Sequence, residues 1–194
     1  MLKKSREVVQ AEQNVRELLA FIGEDPDRPG LVDTPSRVVK MYQEFFCGYD
    51  RKRRPKMTIF KNQDDGIIYN DMILDSGFFF SCCEHHMAIF FGSFHCAYIP
   101  DKHIIGLSKI DRIVDYYSGR LQVAERLVHQ IVDDLQEVLN PKGLILVMNA
   151  RHLCKEMRGV KKINSPAEVI AVRGAFATNL NGCKDEFMSR IQGR

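Results

Sequence analysis

The segment GFFFSCCEHHMAIFFGSFHCAYIP, residues 77–100, decides the fold. GFFFS (77–81) and FHCAYIP (94–100) are aromatic or β-branched runs bounded by Gly or Pro, the signature of strands. Between them SCCEHHM (81–87) crowds two cysteines, a glutamate and two histidines into a tight turn. Outward from this pair, GIIYNDMIL (66–74), GLILVMNA (143–150) and VIAVRGAF (169–176) read as further strands.

A long helical pattern runs from about residue 108 to 139 between the third and fourth of these runs. Ile110, Ile113, Val114 and Tyr117 form one apolar stripe, and Ala124, Leu127, Ile131, Leu135 and Val138 form the next. Gly119 interrupts them, which predicts two helices. Upstream, Val8, Val9, Val15, Leu18, Leu19 and Phe21 predict an amphipathic helix over residues 5–22. A loop rich in Pro, Gly and Asp follows, and Asp33-Thr34-Pro35 then reads as the start of a second helix. The expected organisation is a helical arm and linker, residues 1–56, followed by an α+β domain, residues 57–194. In that domain helices cover one face of an antiparallel sheet.

The 194-residue chain is 45% apolar and 27% charged, the composition of a soluble globular protein. Its 28 basic residues against 25 acidic ones leave a net charge of only +3, which gives no ground for nucleic-acid binding. The run RKRRPK (51–56) is the one basic cluster, and a solvated linker explains it better than a targeting or phosphate patch. No apolar run reaches the roughly 20 residues a membrane span needs, and the first residues lack a signal-peptide core. A cytoplasmic protein is expected, whose six cysteines act as ligands, nucleophiles or small core residues in preference to disulfides.

Cys83 and His86 stand three apart, so a thiolate and an imidazole can face one point. Zinc needs at least three protein ligands. Cys154, in RHLCKEMR just after a predicted strand, is the best third candidate. A Cys-His-Cys set leaves one tetrahedral position for water, as catalytic sites require. The alternative, buried thiols and locally bonded histidines, stays open at this level. His85 and His152 are suited to proton transfer near neutral pH, and Glu84 to orienting one of them. Ser108, Lys109 and Arg112 near a helix start, with Arg158 and Arg37, would suit a substrate with several phosphates.

CEHH, AYIPDKHIIGLSKIDRIV, RLQVAERL, HLCKEMRGVKK, RGAF and DEF occur in the order seen in the GTP cyclohydrolase I family, which the chain resembles over roughly residues 15–191. The resemblance implies the tunnelling fold, a four-stranded antiparallel sheet with two helices on one face, assembled as pentameric rings that stack into a homodecamer. It makes Cys83, His86 and Cys154 zinc ligands, and His85 and His152 proton-transfer residues with Glu84 in support. Ser108, Lys109, Arg112 and Arg158 would hold the triphosphate, Arg37 assisting, and Glu125 the N1 and N2 edge of guanine. The implied reaction adds water to C8 of GTP, releases formate and yields 7,8-dihydroneopterin triphosphate, with Zn2+ as cofactor and neither nucleic acid nor membrane as partner.

Two departures stand out. Ala124 occupies a position where the family has a base-contacting glutamine, and PAEVIAV (166–172) replaces a hydroxyl-rich segment. They leave room for a cyclohydrolase of a different purine nucleotide, for one that stops at a ring-opened intermediate, or for a non-catalytic purine-binding protein of the same fold.

Overall fold

The computed structural model describes residues 5–192. The chain forms two compact units, one up to Cys47 and one from Gly48 onward. In the first, α1 (Arg6–Phe21) and α2 (Thr34–Phe45) pack against each other. The Ser5 hydroxyl accepts the Val8 N–H at 3.4 Å to cap α1, and Pro35 sits in the first turn of α2. No residue of α1 is buried, and Leu18, Phe21 and Ile22 are exposed.

The second unit is built on β2 (Ile73–Cys83), β3 (Ile89–Ile99), β6 (Gly143–His152) and β7 (Ala167–Gly174), antiparallel neighbours in that order. This is the expected four-stranded antiparallel sheet. The two-residue β5 (Leu121–Gln122) pairs parallel to β2 and widens it to five strands. A separate ribbon joins β1 (Ile59–Lys61) to β4 (His103–Ile105).

Two expected strands are corrected: VIAVRGAF ends as a strand at Gly174, its last two residues being helical, and GIIYNDMIL is a strand only at its end. Only the last two residues of GIIYNDMIL enter β2, and Ile67 and Ile68 lie exposed in a loop. The Asn62 side chain explains this, since it accepts the Tyr69 N–H at 2.9 Å and donates to the Tyr69 and Asp101 carbonyls. Backbone groups that a ladder would have paired are satisfied locally.

The predicted break at Gly119 is present, between α3 (Ser108–Ser118) and α4 (Ala124–Leu139). Phe94, Cys96 and Tyr98 of β3 and Leu144, Leu146 and Met148 of β6 meet Ile110, Ile113, Leu127 and Ile131 in the main core. The alternate residues Ala97, Ile145 and Val147 point to the other face. There they pack against Phe176, Phe187 and Ile191, from α6 (Ala175–Thr178) and α7 (Cys183–Ile191), two helices the sequence reading had not separated out. Further along that face Phe78 and Phe80 stand 81% and 62% exposed, Phe80 stacked on Phe91.

The basic run is not a free patch. Arg51–Arg53 form a single 3-10 turn, and Arg54 pairs at 2.7 Å with Asp134 of α4, a carboxylate that also accepts the Tyr117 hydroxyl.

Candidate functional site

The end of β2 carries the donor-rich turn, and its backbone is closed at both ends. The Cys83 N–H donates to the Ala88 carbonyl at 2.8 Å and the Met87 N–H to the Cys83 carbonyl at 2.9 Å. The closure places Met87 in the left-handed region at φ 50°. On the outer side β5 accepts the Glu84 N–H at the Gln122 carbonyl, 3.1 Å away.

Across the sheet, Phe90 of β3 lies opposite Ser81 of β2 on one side and His152 of β6 on the other. Two residues past each of these come Cys83 and Cys154. β6 runs to His152, two residues past Ala150, the last residue of the predicted strand, and the chain then turns into α5 (Leu153–Glu156). Arg151 grips Glu156 at 3.0 and 2.6 Å, and Lys155 donates to the Ser165 hydroxyl at 2.8 Å, so the segment presenting Cys154 is braced on both flanks.

The result is a three-member donor group: ligand atoms of Cys83, His86 and Cys154 all lie within 4.8 Å of one another. Cys83 Sγ is 3.9 Å from His86 Nδ1 and 3.8 Å from His85 Nδ1. Burial raises the Cys154 thiol above its ordinary range, and the neighbouring Cys83 raises it further. Cys82 points away, 1% exposed, with its thiol likewise raised by burial, so the adjacent cysteines have separate environments. All six cysteines are free. Arg158 Nη1 approaches His86 Nε2 at 2.8 Å. A guanidinium can only donate, so Nε2 is the acceptor there, and Nδ1 is the ring nitrogen turned toward Cys83.

His152 stacks on Phe90 with ring centroids 4.7 Å apart and planes 4° from parallel. Burial lowers its pKa below the ordinary histidine range, while the charge of Glu125 opposes that shift and that of Lys155 adds to it. Glu125 therefore belongs to the same locality. Glu84 is held by Arg126, and Oε1 of Glu84 lies 4.0 Å from His85 Nε2. Sequence reasoning passed over Arg126, whose only local signal is its four-residue spacing from Gln122.

The phosphate candidates divide. Arg158 is beside the donor group. Ser108, Lys109 and Arg112 are not, because α3 runs beside β2 in the same direction with its last residue at the site end. The Ser81 hydroxyl donates to the Ser118 carbonyl at 2.9 Å, and Asp111 lies against Gly77. Ser108 is thus about 15 Å of helix away from Ser118, on the side opposite Cys83. Arg37 belongs to the first unit, where it pairs with Asp33 at 3.3 Å.

The family model described as GTP cyclohydrolase I matches residues 11–192. The chain belongs to the GTP cyclohydrolase I family. It is 41% identical to GTP cyclohydrolase 1 of Wolinella succinogenes over 185 residues, covering 95% of this chain and 97% of that one. It is 49% identical over 173 residues to GTP cyclohydrolase 1 of Mycobacterium tuberculosis, covering 88% and 84%. The enzyme of that name from Thermobifida fusca is 44% identical over 187 residues, covering 94% and 87%. Among solved structures, the archaeosine synthase QueF-Like in its apo form aligns at 18% identity with a TM-score of 0.45, covering 53% of this chain and 93% of that one. Membership makes the chain an enzyme, a GTP cyclohydrolase I, and no helix among the described residues is long and apolar enough to cross a membrane.

Proposed function

We propose that the chain converts GTP and water to 7,8-dihydroneopterin triphosphate and formate at a zinc ion held by Cys83, His86 and Cys154. The observation that carries this reading is the meeting of three donors from two segments some 70 residues apart within 4.8 Å. Tetrahedral zinc with thiolate and imidazole ligands needs donor atoms roughly 3.6–3.8 Å apart. A small inward movement of the three donors would suffice, and three protein ligands would leave one position for water. When bound, the ion supplies water acidified toward neutrality.

The remaining roles fall to side chains. His152, kept neutral by burial and fixed in plane by Phe90, is suited to exchanging a proton with the purine ring nitrogen. His85 stands beside Cys83 as the second proton carrier, with Glu84 in support. Glu125 offers its carboxylate to the guanine N1 and N2 edge, and Arg158 offers its guanidinium to a phosphate.

Because Ser108, Lys109 and Arg112 sit far along α3, the triphosphate would be gripped by these residues of another copy, with Arg37 assisting, in pentameric rings stacked as a decamer. The exposed Phe78 and Phe80, and the outer edge of β7, which no strand among the described residues pairs, support self-association. Free cysteines and a nucleotide substrate suit the cytoplasm.

The test incubates zinc-loaded protein with GTP and with other purine triphosphates, following formate release and pterin fluorescence. Formate and a fluorescent pterin from GTP are expected. Formate from another purine alone would move the assignment to that nucleotide, and none from any purine would overturn the reading.

A further inference from the structure

Glu84 stands between a donor of the metal group and His85, and its two oxygens face different neighbours. Oε2 accepts from Arg126 Nη2, and Oε1 is turned to His85 Nε2 at 4.0 Å. Arg126 is itself tied down: Nε donates to Gln122 Oε1 at 3.0 Å and Nη2 to the Leu121 carbonyl at 3.0 Å. Gln122 is 1% exposed, and its Nε2 donates to the Tyr117 carbonyl and to Gln130 Oε1, both at 2.9 Å. With both amide hydrogens committed, only Oε1 is left to face Arg126. The Gln122 carbonyl also accepts the Glu84 N–H. An unbroken chain of bonds thus runs from the end of α3 and the middle of α4, through a buried amide and a guanidinium, to the metal turn.

Side chains of Arg126 and Glu84 are 41% and 33% exposed, and an ion pair so open to water contributes little stability. Its geometry is nonetheless fixed by three hydrogen bonds from two nitrogens of the guanidinium, Nε and Nη2. We propose that Arg126 is a positioning residue for the cyclohydrolase reaction: anchored by Gln122, it orients Glu84 and thereby holds His85 and the Cys83–His86 turn in place. This rests on the activity proposed above, and it assigns Arg126 no contact with substrate.

The test is Arg126→Ala, measured as turnover per bound zinc. The expected kcat falls by about tenfold or more, the size of effect seen when residues supporting a metal site are removed. KM for GTP, zinc per chain at saturation and melting temperature stay near the wild type. Added guanidinium ion, but not ammonium, restores part of kcat. The double variant Glu84→Gln/Arg126→Ala is no worse than the poorer single, because both act through one link. Independently of activity, hydrogen exchange at the amides of residues 84–87 quickens in Arg126→Ala while that of β6 does not.

Unchanged exchange at residues 84–87, kcat per bound zinc equal to the wild type, or additive single effects would each overturn the proposal. Should Arg126→Ala not fold, Glu84→Gln alone must show the same loss of kcat, and full activity in it refutes the role. A wild-type protein inactive on every purine defeats the activity reading, whereas active wild type with unaffected variants defeats only this one.

Discussion

Replacing Gly92 by alanine puts a methyl group where β6 already is. The added Cβ would fall 1.9 Å from the Asn149 carbonyl oxygen and 2.9 Å from Ala150 Cα, both backbone atoms of the paired strand. Contacts under 3.0 Å are essentially never made by real Cβ atoms, so the strands must part by more than an ångström. Gly92 faces Ala150 at the third of the ten pairs of the β3–β6 ladder, and each of these strands is flanked by another, so neither can swing outward freely. Overpacking of this kind costs about 1–3 kcal/mol, and stretching two ladder hydrogen bonds adds about 0.5–1.5 kcal/mol each. A total near 3 kcal/mol lowers the melting temperature of a domain this size by about 6–12 °C. Calorimetry at one fixed protein concentration measures it. Gly106→Ala is the matched control, since its nearest neighbours are at 3.8 and 3.9 Å. Equal melting shifts for the two variants, or a Gly92→Ala shift below about 2 °C, would refute the steric account.

Cys154→Ser should abolish stoichiometric zinc by elemental analysis, and zinc retained at one per chain would disprove the ligand set. Ala124→Gln is expected to lower KM for GTP by restoring a polar partner at the start of α4; an unchanged or higher KM means that position does not meet the base. Arg54→Ala leaves Asp134, 3% exposed, with the Tyr117 hydroxyl as its side-chain partner among the described residues. Arg54 is itself 49% exposed, so the loss is about 1–2 kcal/mol, well below that for a fully buried pair, and a melting shift of about 2–8 °C checks it. Asp75 has a buried Oδ2 with no hydrogen-bond partner among the described residues, and burial, reinforced by Asp111, raises its pKa from 3.8. The folded state thus binds this proton more tightly than the unfolded one, so the carboxylate destabilises at neutral pH and ceases to as pH falls through its raised folded value. Asp75→Asn should therefore melt higher than the wild type at pH 7, with the gap shrinking in acid; a gap that widens in acid contradicts the sign.

Much of the fold could be read from the chain because burial and chemistry coincide. GLILVMNA is apolar on both alternations, and β6 is indeed covered on both faces by separate cores. The restart of the apolar stripe after Gly119 located the break between α3 and α4. Ile67 and Ile68 misled because apolar residues were assumed to be buried, whereas an asparagine side chain holds that loop out of the sheet. α7 escaped because Cys183, Phe187 and Ile191 are too few apolar positions to declare a helix in so short a segment. In the site, Cys83 and His86 are legible from local spacing. Arg126 is not, because Glu84 lies 42 residues away in sequence, and the spacing of Ser108, Lys109 and Arg112 does not tell at which end of the sheet α3 starts.

The placement of Phe90 between Ser81 and His152 has a practical consequence. β2 and β6 do not pair, so Cys83 and Cys154 meet only if both junctions with β3 are set correctly. A slip of one residue at either junction displaces a cysteine by about 3.3 Å and turns it to the opposite face. Such a misthreaded copy would keep its strands and helices, and look intact by circular dichroism, yet hold no metal. On the proposed zinc assignment, tightly bound zinc per chain is then a census of correctly threaded sheets, and refolded preparations can be graded by it before any substrate is added.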